Sequence, residues 1–318
     1  MAAETGATSL SRRSIMALAA TAAIAAPARA QPRARRPLTV RTLPAQTRWT
    51  AEPVQAPATE GLADIPGAKL FYRDTGGSGE PVILLHASTG SALSWVYQQP
   101  VLARAGYRVI SYSRRSHYRS ESGDPANMGT AVDDLHNLIQ FLRLGDRRVH
   151  LLGTAYGGYT PTDYVLTHPD KVASITLSNT LGGMQEPEFN AKQAAILPPG
   201  WQGLPADFRE LSGAYRAMNP EGRKRWLELE HIAFKAPQIR PPNRNPMTWA
   251  NLERIRTPAL VMTGDADLYQ PPPLMREYAS HLQNVEACVL SECGHSAYWE
   301  QPDAFNATLI AFLRKHRA

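Results

Sequence analysis

Cysteine is scarce in this chain: Cys288 and Cys293 are the only two in 318 residues. A scaffold stapled by disulfides is therefore excluded. The pair spans a strand-like run and the loop after it. Extended backbone holds such positions too far apart to bridge, so two separate thiols are expected. Charge of one sign is also lacking where it would matter. The formal net charge is +6, but residues 1–60 carry +5 of it, which leaves residues 61–318 at +1. A body so nearly neutral has no electrostatic footprint for nucleic acid. Metal-ligand spacing, a G-x-G-x-x-G turn and a P-loop are all missing, so no metal and no cofactor are expected. The apolar run 15–26 has twelve residues, short of the about twenty that cross a bilayer, so no stable membrane anchor is expected. Hydrophobic residues still make up 43% of the chain, an ordinary globular share that excludes wholesale disorder.

What is present begins with an address. Ser11-Arg12-Arg13-Ser14-Ile15-Met16 is a twin-arginine pattern, followed by the short apolar run and by Ala28-Arg29-Ala30 before Gln31. Charged region, apolar region and small-residue cleavage site together read as an export signal over 1–30. The expected partner is the twin-arginine export machinery of a bacterium, and the expected location is the periplasm or the outside of the cell. Residues 31–60, rich in Pro, Arg, Ala and Thr without apolar periodicity, read as a tether.

From residue 61 onward strands and helices alternate. Continuous apolar runs at 81–86, 107–113, 148–154, 172–178 and 259–264, with a further strand at 68–73, predict strands buried on both faces. Helical spacing marks 130–144, 157–168 and 303–315. Such alternation predicts a mostly parallel sheet with helices on both sides. The stretch 181–257 breaks it, offering helices near 206–218 and 220–234 instead of strands. It reads as a helical lid, or as a peripheral helical layer that stays in place.

Leu152-Gly153-Thr154-Ala155-Tyr156-Gly157-Gly158 ends a strand and opens a helix. This is the setting of the G-x-S-x-G elbow, with alanine where the attacking hydroxyl belongs. Gly264-Asp265-Ala266-Asp267 follows the strand 259–264, and Cys293-Gly294-His295-Ser296 follows another. With elbow, acid and histidine in this order, residues 61–318 resemble the α/β-hydrolase fold superfamily, in a branch without the serine nucleophile. The resemblance implies an eight-stranded, mostly parallel sheet with helices on both faces and a lid at 181–257. It assigns Asp267 as the acid, in preference to Asp265, and His295 as the catalytic base. Ala155 takes the nucleophile position. His86-Ala87-Ser88-Thr89-Gly90 matches the oxyanion loop, so the backbone N–H groups of Ser88 and Tyr156 form the oxyanion hole. Ser113-Arg114-Arg115-Ser116-His117-Tyr118 matches the D-x-R-G-H-G stretch with three replacements.

Without a serine hydroxyl the usual acyl-enzyme route is closed. Thr154 precedes the apex and should point away, and nothing in the sequence pairs Ser88 with His295. Three readings remain. In the first, His295 acts on water or substrate directly, Asp267 fixes its tautomer, and a small carbonyl compound undergoes activated-water hydrolysis or lyase chemistry such as decarboxylation. In the second the chain is a non-catalytic binding protein, and in the third a serine-to-alanine variant of an esterase or lactonase. The substrate is expected to be a small molecule. Phe189, Trp201, Phe208, Tyr215 and Trp226 would either line its pocket or form the core of the lid.

Overall fold

The computed structural model describes residues 38–145, 147–234 and 239–317. The expected export signal and the first residues of the expected tether lie outside them. Among the described residues nine strands form one sheet. They are β1 (Val40–Leu43), β2 (Thr59–Ile65), β3 (Ala68–Asp74), β4 (Pro81–Leu85), β5 (Arg108–Tyr112), β6 (Val149–Thr154), β7 (Val172–Ser178), β8 (Ala259–Gly264) and β9 (Val285–Leu290). Their order is β1-β9-β8-β7-β6-β4-β5-β3-β2. The β2–β3 and β3–β5 pairs are antiparallel and all others parallel.

The apolar runs follow from burial on both faces. Along β4, Ile83 and Leu85 join one core cluster while Val82 and Leu84 join the other, the period-2 alternation of a strand. Helices Ala131–Phe141, Tyr159–Thr167 and Pro272–Ser280 cover the first face, and Pro302–Lys315 covers the second. Thr130 starts the first of these. Its hydroxyl accepts from the Asp133 N–H, and the Asp133 carboxylate accepts the Thr130 N–H in return.

Two expectations need correction. The sheet has nine strands, not eight, because part of the stretch read as a tether is strand β1, paired along the edge of β9. The rest of 38–60 is fastened to the body as well. Trp49 packs edge-on to Tyr215 at 4.9 Å, Arg225 pairs with Glu52 at 2.9 Å, and Gln55 Nε2 donates to the Val96 carbonyl at 2.8 Å. Composition missed this because the segment adheres through backbone pairing and single side-chain contacts, not through a periodic apolar face. The second correction concerns the lid. Between β7 and β8 the described residues hold five α-helices and no strand, but the helix expected at 206–218 is two, Ala206–Glu210 and Gly213–Met218. Ser212 divides them. Its hydroxyl caps the second helix by accepting the Tyr215 N–H, while its own N–H donates to the Glu300 carboxylate.

The turn after β6 is tight. Ala155 has φ of 50°, a left-handed backbone conformation that non-glycine residues seldom adopt. A short 3-10 turn, Ala155–Gly158, leads from it into Tyr159–Thr167. A Cβ at Gly157 would collide with the backbone carbonyls of Leu85 and His86, at the end of β4. Gly157→Ala is therefore expected to cost about 1–3 kcal/mol or more in a denaturant titration, because backbone has little room to yield.

Candidate functional site

The carboxyl ends of β4, β6, β7, β8 and β9 surround a cavity of about 810 Å3 between sheet and lid. Open parallel sheets collect their sites at this end. Ser88, Ala155, Tyr156 and His295 all line the cavity. Asp267 stands behind His295, fully buried, and the His295 Nδ1–H reaches both carboxylate oxygens at 2.9 Å. The five singled-out positions are thus brought to one place. Asp265 is elsewhere engaged, accepting the Cys293 N–H at 3.2 Å. Thr154 is buried outside the cavity lining. Cys288 and Cys293 are free, buried thiols, and burial pushes Cys288 up to about 12 and Cys293 well above the usual thiol range.

The pair is held firmly from behind. Asp267 accepts the backbone N–H groups of Tyr269 at 2.8 Å and Gln270 at 3.1 Å, and the Asn179 amide at 3.0 Å. Asn179 also donates to the Gly294 carbonyl at 3.1 Å, tying the acid to the histidine loop. Burial alone would raise the Asp267 carboxyl. The charge of His295 and these hydrogen bonds outweigh it and hold the group below its ordinary value. For His295, burial pushes downward, but the carboxylates of Asp267, Glu210 and Glu300 win and raise it to about 9. The Tyr269 ring lies 4.6 Å from the imidazole. Glu300 secures the loop itself, accepting the N–H of Gly294 and that of Ser212 in the lid, both at 3.0 Å. Burial raises its carboxyl to about 7 despite those bonds.

The replaced stretch after β5 supports the opposite wall. Arg115 makes a bidentate pair with Asp134, at 2.8 and 2.7 Å, and caps the carbonyls of Gly67 and Pro66. Arg114 turns toward the loop after β4 and donates to the carbonyls of His86 and Ala87 at 3.1 Å. Its guanidinium also lies over the Tyr156 ring at 4.5 Å, and Arg240 lies over the same ring at 5.0 Å. Burial lowers Arg114 to about 10. Burial and the Arg114 charge bring His117 down to about 4 and hold His86 well below its usual value, so both imidazoles are neutral supports of the loop.

Sequence reasoning missed the polar lining of the lid. Arg209, Glu210, Glu230 and Arg240 all border the cavity, whereas the five lid aromatics do not. Phe189 packs on Trp249 at 4.9 Å, Trp201 meets Phe208 and Tyr269, and Tyr215 and Trp226 join the second core cluster. Phe189, Trp201, Tyr215 and Trp226 are buried packing, and Phe208 is exposed. Charged residues on short helices look like a solvated face, so no periodicity distinguished Glu210 from Arg223. Asn179 had a faint signal, a polar residue straight after a buried strand, at φ of 51°.

Comparison with known proteins agrees with this architecture. Residues 82–308 match the alpha/beta hydrolase family. A 2-hydroxy-6-oxononadienedioate/2-hydroxy-6-oxononatrienedioate hydrolase of Burkholderia vietnamiensis is 26% identical over 279 residues, covering 78% of this chain and 91% of the relative. Among solved structures, a thermophilic esterase from Thermogutta terrifontis superposes with a TM-score of 0.65 at 24% identity, over 82% of this chain and all of that one. The enol-lactonase of Burkholderia xenovorans LB400 does so at 0.63 and 23%, over 80% of this chain and all of its own. These two share the fold. With the family match spanning the sheet from β4 to the last helix, the chain belongs to the alpha/beta hydrolase family.

Proposed function

We propose that this protein hydrolyses a small, polar carbonyl compound with a water molecule activated by His295, without an acyl-serine intermediate. One observation carries the reading: a buried His295–Asp267 pair opens onto a cavity whose elbow presents the methyl group of Ala155. In the step envisaged, an O–H bond of water breaks and its proton passes to His295 Nε2. The oxygen adds to the carbonyl carbon, and negative charge on the carbonyl oxygen is met by the backbone N–H groups of Ser88 and Tyr156. The acyl bond then breaks, the leaving atom takes the proton back from the imidazolium, and a carboxylic acid and a protonated leaving group result. Asp267 keeps the proton on Nδ1, so that Nε2 is the basic nitrogen. The names of the relatives, a 2-hydroxy-6-oxononadienedioate/2-hydroxy-6-oxononatrienedioate hydrolase, an esterase and an enol-lactonase, suggest the substrates to try. The charged lining of Arg209, Glu210, Glu230 and Arg240 favours substrates with ionised or strongly polar groups. The twin-arginine pattern at residues 11–16 supports a site of action outside the cytoplasm of a bacterium.

The pH profile tests the reading. A histidine held at about 9 is largely imidazolium at neutral pH, and only its neutral form is a base. Turnover of a panel of esters, lactones and vinylogous diketones is expected to climb between pH 7 and 10, with its midpoint near 9. A rate that falls across this range would count against His295 as the base. Tight binding with no turnover of any member would favour a binding protein.

A further inference from the structure

The step proposed above leaves a negative charge on the carbonyl oxygen of the substrate, inside a cavity that Glu210 and Glu230 also border. Two neutral N–H groups, those of Ser88 and Tyr156, have to hold it there. A fixed positive charge behind these donors would make the addition of water easier.

Arg114 has that position. It is 8% exposed, and its Nη2 donates to the Ala87 carbonyl at 3.1 Å. That carbonyl and the Ser88 N–H are the two ends of one peptide group. The same oxygen accepts the Gly90 N–H at 3.1 Å and lies 2.7 Å from His86 Nδ1. His86 Nε2 accepts the Arg114 backbone N–H at 3.0 Å, so the proton of the neutral ring stands on Nδ1 and is donated to Ala87 as well. Three donors, one of them charged, converge on a single carbonyl. Each draws electrons from the peptide and makes its N–H a better donor. At the second donor residue, the same guanidinium lies over the Tyr156 ring at 4.5 Å.

The charge of Arg114 has no structural partner to explain it. Neighbouring Arg115 is neutralised by its bidentate pair with Asp134. Among the described residues no carboxylate pairs with Arg114, and the groups that act on its charge are Tyr112, Tyr156, Tyr159 and Arg240. Ser113 stands where the D-x-R-G-H-G pattern has its aspartate, so the one acid of that pattern is gone. Burial lowers Arg114 only to about 10, which leaves it a cation at neutral pH. A buried cation is costly unless it is paired. Here the missing counter-charge is the one that the reaction develops.

We infer that Arg114 is a positioning residue for the oxyanion hole: its guanidinium holds and polarises the Ala87–Ser88 peptide, so that the Ser88 N–H meets the charge of the tetrahedral intermediate with a cation behind it. This rests on the water-hydrolysis reading above. No proton moves to or from the guanidinium, so the balance of the step is unchanged.

The test uses the full chain and a substrate from the panel, with Arg114→Met, Arg114→Lys and His295→Ala measured together. Losing an oxyanion donor outright costs about 10²–10³-fold, and Arg114 acts only through one. Arg114→Met is therefore expected to lose about 10–100-fold in kcat with KM little changed, and Arg114→Lys, which keeps the charge, to lose less. Should Arg114→Met not fold, Arg114→Gln carries the same expectation, since it keeps an N–H donor and loses the charge. In NMR spectra of the substrate-free protein the Ser88 amide proton should move upfield in the neutral variant, because its peptide is less polarised. The low-field His295 Nδ1–H resonance should stay in place, since Asp267 still accepts it. A full rate in the neutral variant, a loss carried by KM, a greater loss in Arg114→Lys, an unmoved Ser88 amide or a displaced His295 resonance would each overturn the inference. If the neutral variant behaves as wild type while His295→Ala is inert, the role of Arg114 falls alone. If His295→Ala keeps its rate, the water-hydrolysis reading falls and takes this one with it.

Discussion

Ala155→Ser is expected to cost this protein its own reaction while giving it a second, weaker one. The elbow is already built for a side chain that points into the cavity. Ala155 sits at φ of 50°, Gly153 lets the Gly157–Gly158 backbone pass closely, and Gly157 lets the turn lie against the end of β4. A serine placed there would put its hydroxyl in the space that the attacking water needs, and would compete for His295. Positioned general-base catalysis contributes about 10²–10⁴-fold, so a loss of that order is expected in native turnover. The new hydroxyl, activated by His295, should acylate with activated esters and release a burst of leaving group before slow deacylation. Two other histories of this chain predict otherwise. If alanine stands where a serine enzyme lost its nucleophile, restoring it should raise hydrolysis by up to about 10⁶-fold and cost nothing. If the cavity only binds, ligand affinity should change and turnover should stay absent. Stopped-flow measurement of the burst beside steady-state rates on the native substrate separates the three. A large gain with nothing lost would sink the reading proposed here.

The parts visible in the sequence were those imposed by burial and by tight backbone geometry. β4, β6, β7 and β8 lie in the middle of the sheet, so their residues are apolar on both faces and announce themselves as runs. The elbow was visible because Gly157 has no room for a Cβ, and Asp267 and His295 because each follows such a strand in a loop of fixed order. The lining of the cavity was hidden for the opposite reason. Arg209, Glu210 and Glu230 sit on helices after β7 and Arg240 in a loop, where charge is the ordinary expectation, and only the fold brings them to the cavity. Strand β1 was hidden because an edge strand needs only backbone pairing. Four residues, Val40–Leu43, suffice to extend β9, and no composition rule marks them.

His295→Ala should remove the reaction, and Asp267→Asn should cripple it in a way that identifies what the carboxylate does. Without the imidazole the base of the proposed step is gone, since Asp267 is fully buried behind it. The residual rate should be that of the oxyanion N–H groups and binding alone. The asparagine variant keeps the shape but removes a negative charge 2.9 Å from the ring. Two consequences then pull in opposite directions. The charge that held His295 at about 9 is gone while the downward push of burial stays, so the imidazole becomes neutral at lower pH. A simple count of free base would predict a faster enzyme at pH 7. The tautomer, however, is no longer fixed. Asparagine can offer its N–H to Nδ1 and leave the proton on Nε2, where it cannot act as a base, and the imidazolium formed in the step has lost its counter-charge. In a serine protease the same change costs about 10⁴-fold, and a loss of that order is expected in the plateau rate, together with a pH midpoint displaced to the acid side of 9. A lowered midpoint with an undiminished plateau would mean that Asp267 only tunes the charge of His295. An unmoved midpoint would mean that Asp267 does not act on His295 at all, and the dyad would have to be abandoned.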